Sequence, residues 1–539
     1  MNNTNISLMV QKGFLFVFTL LVLTAGRTSA QKVWKNVGAA HFSAGHITDP
    51  AMTVDNNGIP YVVFADSSNG NKATVMKYNG TSWMLVGTGG ISAGGATACS
   101  IKFDRLNNIY VTYADVAQGS RITVKKYVSS TWITMGTEGF SVGSVSYPSL
   151  AIDGFNVPYV AYTDDYFGYG ATVMKFSETT GTWATLGGHN FAGGQVGYIK
   201  MAVDTGKLKM VVFEDFNHGN SASVMAYNDT ANYWYFVDST DISHGWAVWT
   251  DIVCDTLGTV YISYQDCTDS NRISVRKFSG THWQTVGSRG FSVKAAQYPA
   301  IALDHSGMPY VVYNDWNLGS YATVMNFDGT AWVTSGTQQG FSAGAAKFTT
   351  ISVDQWGTPY VGFMDSARKT TVMKLGTAPI AGNDSICLGP VVHMTDITPG
   401  GTWTSSNPAV ATIDVNTGFV NTLTAGTTTI SYNIPRDAVG LVVTVTACSV
   451  PAAVTEVNQA NTTLSVFPDP NHGAFTLHIS AAQNEPATIT ITNMMGQIVK
   501  ELTTTTNTNA PVQIDAAPGV YFISAITAQG RQSAKVVVE

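Results

Sequence analysis

Most of the chain consists of short apolar runs separated by turn residues. Between residues 47 and 375 these runs are four to seven residues long and rich in Val, Ile, Tyr and Phe, with Gly, Asn or Pro between them. One example is the run Pro309–Tyr313, which is followed by a polar loop and by the run Ala322–Phe327. Runs of this length and composition predict β-strands. We therefore expect an all-β protein.

The apolar runs belong to a repeat of about 50 residues. An Asp ends one run in each of seven repeats, at intervals of 49 to 51 residues: Asp55, Asp104, Asp153, Asp204, Asp255, Asp304 and Asp354. A second Asp follows each of them by eleven residues: Asp66, Asp115, Asp164, Asp215, Asp266, Asp315 and Asp365. Four strands per repeat over seven repeats are typical of a seven-bladed β-propeller, which we assign to residues 31–376.

The N-terminal strand is expected to complete the last blade. A Trp marks the fourth strand of repeats one to six: Trp83, Trp132, Trp183, Trp234, Trp283 and Trp332. The seventh repeat lacks this Trp, but the segment Val33–Gly38 matches the segment Trp283–Gly287. Pairing of residues 33–38 with the strand Thr370–Lys374 would close the propeller and cover sheet edges that otherwise promote aggregation.

The repeat ends before residues 377–450. This region contains Trp403, the segment Asn407–Asp414, Gly418 and the segment Ala425–Ile430. The pattern resembles the bacterial Ig-like domains of group 2, which act as spacers or adhesion modules on secreted proteins. The resemblance implies a small β-sandwich, and residues 451–463 are expected to form a linker after it.

Three sequence blocks occupy residues 464–539: Val466–Leu477, Ile489–Val499 and Pro518–Ile523. Together they resemble the C-terminal sorting domain of the type IX secretion system of Bacteroidetes, although Asp469-Pro470 stands where that family usually has Asn-Pro. The resemblance implies a second small β-sandwich and the type IX machinery as a partner. It also implies a secreted protein or one held at the outer-membrane surface, with another Ig-like spacer as the alternative.

The N-terminus has the features of an export signal. Lys12 precedes the apolar run Gly13–Leu23, and the small residues Thr28–Ala30 follow. This order predicts a signal peptide at residues 1–30. A membrane anchor is the alternative, but the run is shorter than the ~20 apolar residues that span a bilayer. We expect no transmembrane segment in the mature protein.

Composition excludes some classes of function. Lys and Arg number 28 against 35 Asp and Glu, and there is no basic run, which argues against nucleic-acid binding. Five cysteines are too few for a disulfide scaffold. Cys387 and Cys448 could join the ends of the Ig-like domain, whereas the hairpin register places Val260 or Tyr261, and not Cys267, opposite Cys254.

Catalytic and metal motifs are weak. Gly-x-Ser-x-Gly occurs at Gly90–Gly94, Gly139–Gly143 and Gly340–Gly344, but at equivalent places in the repeats and with no helix after the Ser, so these serines are predicted to be loop residues. The second Asp series is predicted to cap loops by accepting backbone N–H groups, with ligand binding by these carboxylates as the alternative. No metal site, cofactor or catalytic residue is predicted.

Aromatic residues give the strongest candidate site. The residue six before the first Asp is aromatic in five successive repeats: Tyr147, Tyr198, Trp249, Tyr298 and Phe348. These positions begin the innermost strands and should surround the mouth of the central channel, where nearby loops add Tyr166, Phe216 and Trp316. Flat rings suit the C–H faces of sugars. Alternatively, the rings plug the mouth as core residues.

These features favour a ligand-binding protein, with a glycan as the favoured ligand, over an enzyme. The main alternative is a glycosidase or lyase. Glycosidases use two carboxylates ~5–9.5 Å apart, and Asp164, Asp165 and Glu214 lie on the same predicted face. A protein-interaction or adhesion scaffold that binds no small ligand is the third hypothesis.

Overall fold

The computed structural model describes residues 32–204, 208–398, 400–435, 437–447 and 462–539. The protein is all-β, and the chain divides into two compact units, Met1–Val445 and Thr446–Glu539. The predicted signal peptide and nearly all of the predicted linker lie outside the described residues. The boundaries that the sequence predicts between domains remain predictions.

Seven four-stranded antiparallel sheets, here called blades one to seven, make up most of the first compact unit. The first strand of the described chain is β1 (Val33–Asn36). Blade one contains β2 (Ile47–Val54), β3 (Pro60–Asp66), β4 (Lys72–Tyr78) and β5 (Trp83–Leu85). Blade two contains β6 (Ala96–Phe103), β7 (Ile109–Asp115), β8 (Arg121–Val128) and β9 (Thr131–Thr134). Blade three contains β10 (Val145–Ile152), β11 (Pro158–Asp164), β12 (Gly170–Ser177) and β13 (Thr182–Thr185).

The remaining blades follow the same order. Blade four contains β14 (Val196–Val203), β15 (Lys209–Asp215), β16 (Ser221–Asn228) and β17 (Tyr233–Phe236). Blade five contains β18 (Ala247–Cys254), β19 (Val260–Asp266), β20 (Arg272–Phe278) and β21 (Trp283–Thr285). Blade six contains β22 (Ala296–Leu303), β23 (Pro309–Asp315), β24 (Tyr321–Phe327) and β25 (Trp332–Thr334). Blade seven contains β26 (Lys347–Val353), β27 (Pro359–Met364), β28 (Thr370–Gly376) and β1.

The core of this region lies between the blades. The second strand of a blade packs against neighbouring blades on both faces, so its apolar residues are not restricted to alternate positions. In β3, β7, β11 and β15 every residue is buried. The inner strands of successive blades pack side by side, and the inner strand of blade seven packs beside that of blade one.

Both Asp series shape the ends of the blades. In the first series, Asp55 Oδ1 accepts the N–H groups of Asn57 and Ile59, both at 2.8 Å. Five other repeats have the same two bonds, and in repeat four the described part of the turn has the second one, from the Leu208 N–H. In the second series, five Asp side chains cap the short 3-10 helices Ser67–Asn69, Val116–Gln118, Asp165–Phe167, Phe216–His218 and Trp316–Leu318. The predicted capping of these loops is confirmed.

The repeated Trp residues join each blade to the one before it. Each indole Nε1–H donates to a backbone carbonyl at the end of the preceding blade: Trp83 to Val37, Trp132 to Val86, Trp183 to Met135, Trp234 to Leu186, Trp283 to Val237 and Trp332 to Val286, over 2.7–3.1 Å. Trp34 of β1 does the same toward Ser335 at 2.8 Å and stacks on Phe341 with ring centroids 4.2 Å apart.

The predicted pairing of the N-terminal strand is confirmed. Strand β1 pairs antiparallel with β28, with Val33 opposite Gly376 and Asn36 opposite Met373. The Val37 N–H extends this ladder to the Val372 carbonyl at 2.9 Å. The first and last strands of the repeat region therefore share one sheet.

Two sheets after the propeller enclose a core that includes Met394, Trp403 and Ile430. Their strands are β29 (Ser385–Cys387), β30 (Val391–His393), β31 (Thr402–Ser405), β32 (Ala411–Ile413), β33 (Phe419–Thr422), β34 (Gly426–Ile434) and β35 (Asp437–Thr446). The sheet orders are β29-β35-β34-β31 and β30-β33-β32. Cys387 is disulfide-bonded, and Cys448, its predicted partner, lies outside the described residues. Cys99, Cys254 and Cys267 are free, and Cys254 pairs with Val260 as the predicted register requires.

A carboxylate connects this domain to blade seven. Asp437 Oδ2 accepts from Lys35 Nζ at 2.8 Å and from the Thr377 N–H at 2.8 Å, and Asp437 Oδ1 accepts from Lys374 Nζ at 3.2 Å. Burial opposes ionisation of Asp437, but the hydrogen bonds from Lys35 and Thr377 outweigh it and hold the pKa of this carboxyl well below its usual range.

The second compact unit is also built from two sheets, in the orders β36-β37-β40 and β39-β38-β41-β42. Its strands are β36 (Thr463–Phe467), β37 (Ala474–Ser480), β38 (Pro486–Thr492), β39 (Ile498–Thr505), β40 (Asn509–Gln513), β41 (Gly519–Thr527) and β42 (Gly530–Val538). One core that includes Leu477, Ile489 and Ile523 fills the space between the sheets. No helix in the described ranges is both long and apolar enough to cross a membrane.

Removal of residues 31–38 should lower the melting temperature of the propeller, because it exposes the edge of β28 and removes the Trp34 contacts. Loss of one buried Trp side chain alone typically costs ~3–5 kcal/mol. Calorimetry on the mature protein measures the effect. Removal of residues 464–539, which belong to the other compact unit, is the control and should leave this transition unchanged. An unchanged melting curve after removal of residues 31–38 would refute the structural role of β1.

Asp437→Asn should lower the free energy of unfolding by ~1–3 kcal/mol at pH 7, because it removes a charged hydrogen-bond acceptor. The pKa of Asp437 in the folded protein lies below its value of ~3.9 in the unfolded chain. Ionised Asp437 therefore contributes fully to the free energy of unfolding well above pH ~3.9, and this contribution is lost as the pH falls below ~3.9. The difference between wild type and variant in denaturant unfolding should therefore shrink from pH 7 to pH 3. Asp515→Asn, at an exposed carboxylate of the other compact unit, is the control. A difference of the same size at both pH values would contradict this assignment.

Candidate ligand site at the mouth of the central channel

All seven inner strands line one cavity of about 530 Å³ in the centre of the propeller. Every inner strand starts at the end of the propeller where the second Asp series lies. In blade one Ile47 pairs with Asp66, and equivalent residues pair in blades two to six. In blade seven Lys347 pairs with Met364, the residue before Asp365. We call this end of the cavity the mouth.

One residue per inner strand has a left-handed backbone conformation at the mouth. It lies where the register shifts between the first and second strands of the blade, as in a β-bulge. The φ angles are 48–56° for Asp49, Ala98, Tyr147, Tyr198, Trp249, Tyr298 and Phe348. This conformation is unfavourable for a bulky side chain. The bulge turns each of these residues toward the cavity, which all seven line.

The five aromatic members of this set form one continuous series, here called the aromatic arc. Ring centroids are 4.8 Å apart for Tyr147 and Tyr198, 6.0 Å for Tyr198 and Trp249, and 4.9 Å both for Trp249 and Tyr298 and for Tyr298 and Phe348. The planes of neighbouring rings are tilted by 43–65°. Tyr147 is 39% exposed, and the other four rings are partly exposed.

Hydrogen bonds fix the backbone of the arc. Thr250 Oγ1 donates to the Tyr198 carbonyl, and Thr349 Oγ1 donates to the Tyr298 carbonyl, both at 2.6 Å. Blades one and two have no aromatic residue at this position, and there the Ala98 N–H donates to Asp49 Oδ2 at 3.1 Å. The rings are therefore positioned without a ligand, which lowers the entropy cost of binding.

Three charged residues line the channel below the arc: Lys102, Lys200 and Asp251. The Ile301 N–H donates to Asp251 Oδ2 at 3.0 Å. Enclosure in the channel raises the pKa of Asp251 and lowers the pKa of Lys102. None of these three residues is predicted as a site residue from the sequence, although most equivalent positions in the other repeats hold small or apolar residues.

A buried carboxyl lies beside the arc on blade four. Glu214 is 3% exposed, and its Oε1 accepts from Trp246 Nε1 at 2.9 Å. Burial raises the pKa of Glu214 to about 7, and the hydrogen bond from Trp246 opposes this only in part. Sequence analysis named Glu214 only as a carboxylate for the enzyme hypothesis and missed Trp246. Repeat five is the only one with a Trp directly before its inner strand, and that departure could have revealed it.

The three loop aromatics predicted for the site differ in position. Phe216 adjoins the arc, because a Cβ placed on Gly197, the residue before Tyr198, would lie 3.3 Å from its ring. Tyr166 is 71% exposed and contacts Phe167, and it does not line the cavity. Trp316 lines a separate surface depression with Arg272 and Lys294. The structure thus brings the five arc residues together at the cavity, places Phe216 next to the arc but outside the cavity lining, and leaves Tyr166 and Trp316 apart.

The serines and acidic loop residues have structural contacts. Ser92 Oγ donates to the Gly94 carbonyl and accepts the Ala73 N–H, and Ser141 and Ser342 make equivalent contacts. Their predicted status as loop residues is confirmed. Asp164 is fully buried and accepts the N–H groups of Gly143 and Tyr166. Within the described ranges, no group of three or more His, Cys, Asp or Glu residues is arranged to hold a metal ion.

Solved structures give several weak similarities. An ulvan lyase of a polysaccharide lyase family has a TM-score of 0.44 and 12% identity, and the match covers 63% of this chain and 96% of the lyase. A fungal alcohol oxidase has a TM-score of 0.44 and 11% identity over 94% of this chain and 99% of the oxidase. A Hadza microbial sialidase has a TM-score of 0.37 and 12% identity, and the match covers 63% of this chain and 68% of the sialidase. Similarities at this level transfer no activity to this chain. None of the curated proteins matches the chain.

Two regions match known domain families. Residues 395–433 match the bacterial Ig-like domain of group 2, within the sandwich that follows the propeller. Residues 465–539 match the secretion system C-terminal sorting domain, which corresponds to the second compact unit. Both predicted resemblances are confirmed. The protein therefore carries a secretion sorting domain at its C-terminus and is exported, to the cell surface or beyond it.

Proposed function

We propose that this protein is an exported glycan-binding propeller that takes a sugar at the aromatic arc, with the Ig-like domain as a spacer. One observation carries the proposal: five rings in series occupy left-handed backbone positions at the mouth. Strained positions of this kind persist where the surrounding structure imposes them, and they are frequent at binding sites.

The fold itself does not require rings at these positions. Ala98 and Asp49 have the same backbone conformation in blades two and one without an aromatic side chain. A plug of the mouth would also exclude solvent, whereas the rings keep part of their surface exposed. Partly exposed, positioned aromatic rings with a few polar groups nearby are typical of sites for sugars and other small ligands.

The alternative of a polysaccharide-active enzyme rests on Glu214. A carboxyl whose pKa is about 7 suits a general acid. Incubation of the protein with neutral and acidic polysaccharides, followed by chromatography of the products, separates the two functions. Release of oligosaccharides would show that the protein is an enzyme and overturn the proposal of binding alone. Recovery of intact polysaccharide would support binding without catalysis.

Export is proposed to proceed through the type IX machinery after removal of residues 1–30. A chain that lacks residues 464–539 should accumulate in the periplasm of a type IX-competent host, while the full chain reaches the medium or the cell surface. Fractionation followed by immunoblotting measures the distribution. The truncated propeller should keep its melting temperature, because the tail is a separate compact unit. Efficient appearance of the truncated chain outside the cell would refute this route.

Trp249→Ala should weaken binding of the best glycan on an array by about five- to 150-fold, because loss of one stacked ring costs ~1–3 kcal/mol in comparable sites and ~1.4 kcal/mol is tenfold. Calorimetry on the mature protein measures the affinity. The variant should fold, since Ala98 occupies the equivalent position in blade two. Trp356→Ala removes a ring in the turn after β26, at the opposite end of the propeller, and is the matched control. Absence of glycan binding by the wild type, or an unchanged affinity in Trp249→Ala, would contradict the proposal.

A further inference from the structure

Glu214 departs from the sevenfold pattern at a buried position. The residue directly before the second Asp is Ala65, Ala114, Thr163, Glu214, Gln265, Asn314 and Met364 in repeats one to seven. The amides of Gln265 and Asn314 donate to the backbone carbonyls of Ala296 and Ala346 in the next blade. The Glu214 side chain makes no such contact: among the described residues its carboxyl is hydrogen-bonded to the Trp246 indole N–H and not to a carbonyl of the next blade. Glu214 therefore does not serve the packing role of these two neighbours.

The opposite strand leaves space for Glu214. Its partner across the sheet is Gly197, the only glycine at that position among the seven repeats. A Cβ placed on Gly197 would lie 3.0 Å from Glu214 Oε2. Because Gly197 directly precedes Tyr198, this arrangement holds the carboxyl beside the aromatic arc, and Glu214 affects the titration of both Tyr147 and Tyr198.

Trp246 determines which carboxyl oxygen is available. The indole Nε1–H can only donate, so Glu214 Oε1 accepts and any proton of the neutral acid resides on Oε2. Among the described residues Oε2 has no hydrogen-bond partner, and it is not sealed from solvent. The Trp246 ring is itself 49% exposed and lies in the loop before β18. A polar oxygen and an additional ring therefore stand together beside Gly197, the residue before Tyr198, just outside the set of residues that line the cavity.

We propose that Glu214, Trp246 and Gly197 form a hydroxyl-binding subsite for a neutral sugar. In this subsite Glu214 Oε2 forms a hydrogen bond with a sugar hydroxyl while the sugar ring stacks on the aromatic arc. The subsite rests on the proposed function and deepens it. A sugar hydroxyl both donates and accepts, so it can pair with either form of the carboxyl. When Glu214 is ionised, a bound sugar displaces water from the charged carboxylate, and this desolvation is unfavourable.

Three ionisable groups interact electrostatically with Glu214, namely the Tyr147 and Tyr198 hydroxyls of β10 and β14 and the Cys267 thiol after β19. Burial raises the pKa of all three, so they stay neutral near pH 7. Glu214 is thus the group of this subsite that changes charge near neutrality. It is protonated below about pH 7 and ionised above it, so affinity for a neutral sugar should fall as the pH rises through this value.

The test measures binding of cellotetraose, xylotetraose, mannotetraose and laminaritetraose to the mature protein by calorimetry at pH 5.5, 7.0 and 8.5. The wild type should bind at least one of them, with affinity three- to tenfold weaker at pH 8.5 than at pH 5.5. Glu214→Gln, which still accepts from Trp246, should show a flat pH profile. Glu214→Ala should bind at least tenfold more weakly at pH 5.5. Asp165→Asn, at an exposed carboxylate on the same end of the propeller, should behave as the wild type.

A measurement without sugar checks the titration itself. Infrared difference spectra between pH 5.5 and 8.5 should contain a carboxylic acid carbonyl band in the wild type that is missing in Glu214→Gln. This result does not depend on which glycan binds.

The outcomes distinguish the subsite from the proposed function. If Trp249→Ala loses binding but Glu214→Ala keeps the wild-type affinity and pH profile, the subsite is overturned and the arc remains the binding site. Absence of binding to all four tetrasaccharides overturns the neutral-sugar subsite, while acidic glycans on the array continue to test the arc. A pH-dependent affinity that persists in Glu214→Gln assigns the titration to another group and overturns the inference.

Discussion

The contact between each Trp and the preceding blade is the interaction on which the rest of the propeller depends. A single four-stranded sheet of this kind has two apolar faces and cannot bury both by itself. The indole N–H of the outer strand donates to the end of the neighbouring outer strand, and in five of the seven blades the indole also stacks on a Phe from the same connection, such as Phe140 on Trp183. Each blade is thereby held at a fixed place relative to the next. The inner strands then line one channel.

The same contact explains why the N-terminal strand belongs to the last blade. Trp34 provides for blade seven the hydrogen bond to the preceding blade that Trp83 to Trp332 provide for the others, and it stacks on Phe341 as four of those six residues stack on a Phe. This part of the fold was predictable from the sequence, because the missing Trp of repeat seven and the extra Trp near the N-terminus are both visible in the spacing. The Asp series were equally predictable, since a buried carboxylate after a strand caps a turn whatever the surrounding residues.

The site was predictable only in part. The spacing placed the five arc residues at the mouth because they recur at one repeat position. It did not indicate their left-handed conformation, since that depends on the bulge between the first two strands and not on residue type; Ala98 and Trp249 share it. Trp316 and Tyr166 were chosen because their loops lie at the same end, but a loop can direct its side chain away from the axis. Glu214 and Trp246 come from different blades, and only the folded chain brings them together.

The repeat therefore separates structure from function in this protein. Residues present in every blade form turns and contacts between blades. Departures from the repeat occur at the channel, as at Lys102, Lys200 and Asp251, and beside Gly197, as at Glu214 and Trp246. The most direct measurement is a crystal structure of the mature protein soaked with the tetrasaccharide that binds most tightly. Our account predicts a sugar ring against Tyr198 and Trp249 with one hydroxyl within hydrogen-bond distance of Glu214 Oε2. A sugar bound away from the mouth, or rings that close over the mouth and exclude it, would contradict the account.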